Sequence, residues 1–191
     1  MAKLEVTREV STRIPTDYGD FQLCFYSNTQ DSKEHLALFM GDLSEHESVL
    51  ARVHSECFTG DVLGSRRCDC GEQLDRSMKM ISDIGVGVIV YLRQEGRGIG
   101  LLEKLRAYNL QDEGLDTVDA NLELGHEADA RDYSLAAHIF RDLGVSSVDL
   151  ITNNPVKINA LEDLGIVVAK RVSLDIAANS DNVSYLKTKA Q

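Results

Sequence analysis

The sequence predicts an α/β fold on a mixed sheet, with a β-rich antiparallel N-terminal third followed by alternating strand and helix units whose helices cover the sheet. Three observations carry that expectation. Alternating apolar segments fill the chain up to His54, a continuous apolar run occupies Val86 to Leu92, and helix-spaced and strand-like segments take turns beyond Leu135.

Phe21 to Tyr26 reads as the first strand, with Phe21, Leu23 and Phe25 on one face and Cys24 as a buried reduced thiol. His35 to Met40, closed by Gly41-Asp42, is the second. Val49, Ala51 and Val53 alternate with Leu50, Arg52 and His54 in the third, which delivers its last residues to a strand end where a rigid scaffold can aim them. After Cys70-Gly71, the spacing of Leu74, Met78 and Ile81 predicts a helix stopped by Gly85. Val86 to Leu92 then suits a strand buried on both faces, as in parallel sheets. Arg93 to Gly100 is a Gly-rich turn between that strand and a helix carrying Leu101, Leu105 and Tyr108 on one face. Such a turn lets backbone N–H groups approach a phosphate, although it matches neither a Walker loop nor a dinucleotide fingerprint.

Gly114 to Glu127 is polar and acidic and reads mostly as loop. Leu135, Ile139 and Leu143 mark an amphipathic helix that ends at Gly144, and Val148 to Ile151 is a short strand. Asn154 suits an N-cap with Pro155 at the first helical position, followed by Ile158, Leu161 and Leu164 on the buried side. Gly165 closes this helix, Ile166 to Leu174 returns as a strand, and a polar tail holds the segment YLKTKA.

With 191 residues and no linker or low-complexity run, one domain over residues 1–191 is the expectation. A net charge of -11 disfavours a long nucleic acid as partner, since that affinity comes from Lys and Arg on phosphates. It leaves room for a small anionic ligand met by a few local cations. No window has the length of a membrane span, and the cysteine usage fits a reducing, cytoplasmic setting.

Three of the four cysteines, Cys57, Cys68 and Cys70, fall in the stretch Arg52 to Gln73. Cys68 and Cys70 are placed badly for a mutual disulfide, whereas thiolates suit zinc. Three protein ligands leave a coordination position for water or substrate, the count of a catalytic zinc site. A closed site with His54 or Cys24 as fourth ligand, or three reduced core cysteines, are the plainer readings.

The motifs ARVHSECFTGD, CDCGEQL, YLRQEGRGIGLLEKLRAYNLQDEG, DTVDAN, ARDY and LITNNPVK, in that order, resemble those of GTP cyclohydrolase II, from about Ile14 to Ala190. The resemblance implies an enzyme that opens the imidazole ring of GTP, releases formate and pyrophosphate, and yields 2,5-diamino-6-(5-phosphoribosylamino)pyrimidin-4(3H)-one, at the start of riboflavin biosynthesis. It implies one Zn2+ per subunit on Cys57, Cys68 and Cys70 plus water, and GTP contacts at Arg52, Val53, His54, Ser55, Glu56, Gln73, Glu95, Gly96, Arg97, Thr117, Thr152 and Lys157. It further assigns Asp129 as proton acceptor and Arg131 as nucleophile toward the α-phosphorus. Because a guanidinium stays protonated, phosphate clamping is the less demanding role for Arg131. Tyr108 matches a tyrosine tied to completing the reaction, which favours the full outcome over a relative that stops at the formamidopyrimidine.

Mg2+ with the triphosphate and a homodimer are further expectations of the resemblance. The related synthase domain found in some family members has no room in these residues, so a monofunctional enzyme is expected. A zinc nucleobase deaminase is the rival from another reaction class, since His54-Ser55-Glu56 reproduces its H-x-E element. The partner motif P-C-x-x-C is missing, and Cys68-Asp69-Cys70 stands instead. A binding module with a structural zinc is the non-catalytic alternative.

Overall fold

In the computed structural model, residues 4–127, 129–177 and 180–182 are described; the YLKTKA segment lies outside them. The chain divides into two compact units. One comprises residues 1–54, 75–93 and 132–174, the other residues 55–74, 94–131 and 175–191.

The first unit holds the sheet. Its strands are β1 (Val6–Thr16), β2 (Gly19–Asn28), β3 (His35–Met40), β4 (Val49–Ser55), β5 (Gly87–Leu92), β6 (Ser147–Ile151) and β7 (Val167–Val172). They lie in the order β1-β2-β3-β5-β4-β6-β7. β1 to β3 form an antiparallel meander, and β3 pairs β5 antiparallel. β4, β6 and β7 run parallel. The mixed sheet and its antiparallel opening match the sequence expectation.

Helix α5 (Ser134–Asp142) buries Leu135, Ala136, Ile139 and Phe140, and these join β-strand residues such as Val53, Val90 and Leu150 in one apolar core. In α6 (Pro155–Asp163) the Asn154 side chain accepts from Val156 N–H and Pro155 opens the helix, as the sequence predicts. α2 (Cys70–Ile84) ends before Gly85, whose φ of 83° a β-carbon would resist.

The structure adds to or departs from the sequence reading at several points. β1 lies upstream of the first predicted strand. Most of its residues are exposed, so no inward stripe marks it. In β2 Phe21 is buried as its pattern predicts, but the residues that join the main apolar cluster are Cys24 and Tyr26, and Leu23 and Phe25 are only half-buried. β5 is buried along nearly its whole length, as its apolar run predicts, while its pairing with β3 is antiparallel. Finally, residues 114–127 are not mostly loop: Asp116 accepts from Val118 and Asp119 N–H and caps α4 (Thr117–Glu123).

Candidate metal centre and its surroundings

β4 carries the chain into the second unit at Ser55, where α1 (Phe58–Asp61) follows at once. Cys57 precedes that short helix, while Cys68 precedes and Cys70 begins α2. The sulfurs of the three residues lie within 4.8 Å of one another, and among the described residues they are the cluster able to hold a metal ion. Cys57 and Cys68 Sγ are 3.6 Å apart. Two thiolates about 2.3 Å from one tetrahedral ion lie about 3.8 Å apart, so this spacing fits a shared metal. A disulfide would need about 2.05 Å.

Glycine makes the cluster possible. A β-carbon on Gly60 would stand 3.0 Å from Cys68 Sγ and 3.1 Å from Cys57 Sγ, so a larger residue would crowd the sulfurs. Without a metal, hydrogen bonds from Cys68 and Cys70 hold the Cys57 thiol far below its ordinary range against the cost of burial, with the Lys104 cation assisting. The same bonding pushes Cys68 up to about 11 and Cys70 well above its usual value. A divalent ion reverses this imbalance by favouring the deprotonated form of all three.

The Gly-rich turn, residues 95–98, packs around this cluster. Glu95 accepts from Phe58 N–H at 2.6 Å, from its neighbour Gly96 N–H at 2.9 Å and from Lys104 Nζ at 2.7 Å. Gly96 and Arg97 both adopt positive φ, 63° and 61°. Ala130 N–H donates to Arg97 O at 3.0 Å, and a β-carbon on Gly98 would stand 3.0 Å from Ala130 O. These glycines therefore have packing reasons for being small, besides any approach to phosphate.

α3 (Leu101–Asp112) corrects the sequence reading. Lys104 and Ala107 are its buried residues, whereas Leu101 is 36% and Leu105 44% exposed. The polar pairing of Lys104, not leucine burial, sets the inward face. Tyr108 is half-buried and its hydroxyl is 3.3 Å from Thr59 Oγ1, which lies 3.7 Å from Cys57 Sγ. The Arg67 guanidinium covers its ring at 4.9 Å while gripping Asp112. Burial pushes the Tyr108 hydroxyl up, outweighing Thr59 and Lys104. Lys104, Thr59 and Arg67 are not singled out by the sequence, since no local pattern marks the contacts that they make.

Other expected site residues in this unit are placed as follows. Ser55 accepts from Gln94 Nε2 at 3.0 Å, Glu56 is half-buried, and buried Gln73 donates to Asp69. Thr117 opens α4. Arg131 grips Asp129 with Nε at 2.8 Å and a second guanidinium nitrogen. Burial works to raise the Asp129 carboxyl, but these contacts with Arg131 outweigh it and hold it below its usual range.

The sheet unit gathers a second set. Buried Arg52 donates to His54 Nδ1 at 3.2 Å and to Ile151 O at 3.4 Å, and the His54 ring stacks on Tyr91 at 5.4 Å. Lys157 Nζ donates to Val53 O at 2.7 Å and lies 5.6 Å from the Tyr133 ring centre. Buried Thr152 accepts from Asn154 N–H at 3.0 Å. Cys24, the other free thiol, belongs to the apolar core of the sheet, as expected.

The fold and the site define a mixed α/β chain that carries a three-thiol cluster able to hold a metal ion. Comparison with known proteins gives the family: the model described as GTP cyclohydrolase II matches residues 7–173, and the chain belongs to that family. A "Riboflavin biosynthesis protein RibBA" of Bacillus cereus (strain B4264) is 57% identical over 96% of this chain and 46% of that protein. Its namesake in Bacillus mycoides (strain KBAB4) is 57% identical over 97% and 47%. The one in Bacillus cytotoxicus is 54% identical over 96% and 46%. The chain thus spans about half the length of these curated relatives. A solved two-domain 3,4-dihydroxy-2-butanone 4-phosphate synthase, RibBX from A. baumannii, aligns at 23% identity and a TM-score of 0.49 over 90% of this chain and 40% of that chain, too weak a likeness to carry an argument.

Proposed function

We propose that this chain is a zinc-dependent GTP cyclohydrolase II that opens the imidazole ring of GTP, releases formate and pyrophosphate, and feeds riboflavin biosynthesis. The observation that carries the reading is the convergence of Cys57, Cys68 and Cys70 within 4.8 Å in a chain of this family. Three ligands leave an open position, and zinc bound there would supply a water activated at neutral pH.

The remaining roles rest on the motif resemblance and on side-chain chemistry. Asp129, ionised by its contact with Arg131, suits a proton acceptor, and the Arg131 fork suits the α-phosphate region of GTP. The Tyr108 hydroxyl, kept protonated by burial, can donate to or orient a reacting group. Arg52, Val53, His54, Ser55, Glu56, Gln73, Glu95, Gly96, Arg97, Thr117, Thr152 and Lys157 are proposed to contact GTP, whose triphosphate travels with Mg2+. We further propose that the two units belong to one catalytic domain, since the family match runs through both, and that it works as a cytoplasmic homodimer. Among the described residues no helix is long and apolar enough to cross a membrane.

The test is incubation of purified, zinc-assayed protein with GTP and Mg2+, with formate, pyrophosphate and the pyrimidine measured together. All three products are expected in equal amounts. Formamidopyrimidine without formate would move the assignment to the relative that stops early, and ammonia would move it to a deaminase. Cys68→Ser is expected to lose most zinc and turnover together, while Arg131→Ala loses turnover and keeps zinc; full activity of verified zinc-free protein would overturn the reading.

A further inference from the structure

We propose, resting on the metal-centre reading above, that Lys104 is a positioning residue of the thiol cluster: its ammonium ties Cys57 to Glu95 and offsets the negative charge that three thiolates leave around one divalent ion. Lys104 Nζ is 3.1 Å from Cys57 Sγ and 2.7 Å from Glu95 Oε1, and the residue is 8% exposed. A lysine buried to this degree needs anionic partners, and here one of them is a candidate metal ligand.

The surroundings are shaped to hold it. Glu95 is fixed by two backbone donors, Phe58 and Gly96 N–H, so its carboxylate offers Lys104 an immobile anchor. Gly96 clears space for the lysine stem, because a β-carbon there would stand 3.1 Å from Lys104 Cβ. α3 turns Lys104 inward while leaving Leu101, Leu102 and Leu105 outside, the reverse of what burial of apolar area alone would select.

Charge counting gives the consequence. Three thiolates and one divalent cation carry a net negative charge that the ammonium offsets, and the Glu95 carboxylate that shares this ammonium leaves the wider cluster at one negative charge. A hydrogen bond from a cation also withdraws electron density from the Cys57 sulfur, which tunes the metal through its ligand, and outer contacts of this kind orient ligands as well.

The test uses Co2+ in place of zinc, because the thiolate-to-cobalt charge-transfer band reports the electron density on sulfur. Losing the cation in Lys104→Met is expected to move the band to longer wavelength and to weaken zinc binding about 10- to 100-fold in chelator competition. Lys104→Arg keeps the charge on a wider, planar group and is expected to shift the band less and recover most of the affinity. An unshifted band in folded Lys104→Met would overturn the proposal, and should that variant not fold, an unshifted band in the equally uncharged Lys104→Gln would do the same. A native chain that takes up neither ion would instead refute the metal centre itself.

Discussion

At the scale of single residues, His35 shows how a buried side chain fixes its own protonation state. Its Nδ1 accepts from Arg93 N–H at 3.2 Å and its Nε2 faces Asp31 at 3.2 Å, so the neutral ring with the proton on Nε2 satisfies both partners. Burial pushes the imidazole below its ordinary value of 6.5, Asp31 pulls the other way, and Lys33 and Arg93 add to the lowering. Protonating Nδ1 would set a donor against a donor. With the folded value depressed, the unfolded chain takes up the proton first as pH falls, so stability present above about 6.5 is lost from there toward the folded value. The urea midpoint is therefore expected to drop between pH 7.5 and 5.5, and to drop less in His35→Gln; parallel curves for the two proteins would refute this.

At the scale of elements, periodicity was readable wherever one face meets an apolar core, and it misled where something else decides. β3, β4, α5 and α6 follow their apolar pattern because Ala37, Val53, Ile139 and Leu161 all enter the same core. α3 does not, since an ion pair orients it, and β1 does not, since it buries little. The cysteine trio was legible because thiols at that spacing have few other uses, whereas the Lys104 and Thr59 contacts depend on folding that no local pattern encodes. α4 was hidden by its acidic, polar composition, although Asp116 is a regular N-cap accepting from Val118 N–H at 2.7 Å and Asp119 N–H at 2.9 Å. Asp116→Ala is expected to cost about 1 kcal/mol in urea unfolding. On the proposed contact between Thr117 and GTP it should also raise KM for GTP, because Thr117 sits in the first turn of that helix. Asp116→Asn, which keeps the acceptor, should behave nearly as the native chain; equal losses in both variants would point away from capping.

At the scale of the whole molecule, the two units are stabilised by different means. Every member of the apolar core cluster lies in the sheet unit, from Cys24 in β2 to Ile166 just before β7. The other unit buries Cys57, Cys68, Ala107 and Ala120 beside polar groups that include Thr59, Asp69, Gln73, Gln94, Glu95 and Lys104. So little apolar area gives weak hydrophobic stabilisation, and a metal bound across Cys57, Cys68 and Cys70 would substitute for the missing core. A ligand present at about 100 times its Kd contributes about 2.7 kcal/mol to the state that binds it. Chelation is thus expected to speed amide exchange roughly 100-fold in residues 57–71 and in the first turn of α3. The amides of β2, β3 and β5 should keep their protection, because their hydrogen bonds lie in a unit that holds no ligand of the metal. Hydrogen exchange read peptide by peptide decides it: a uniform rise over both units, or none in residues 57–71, would show that the metal does not hold this unit together.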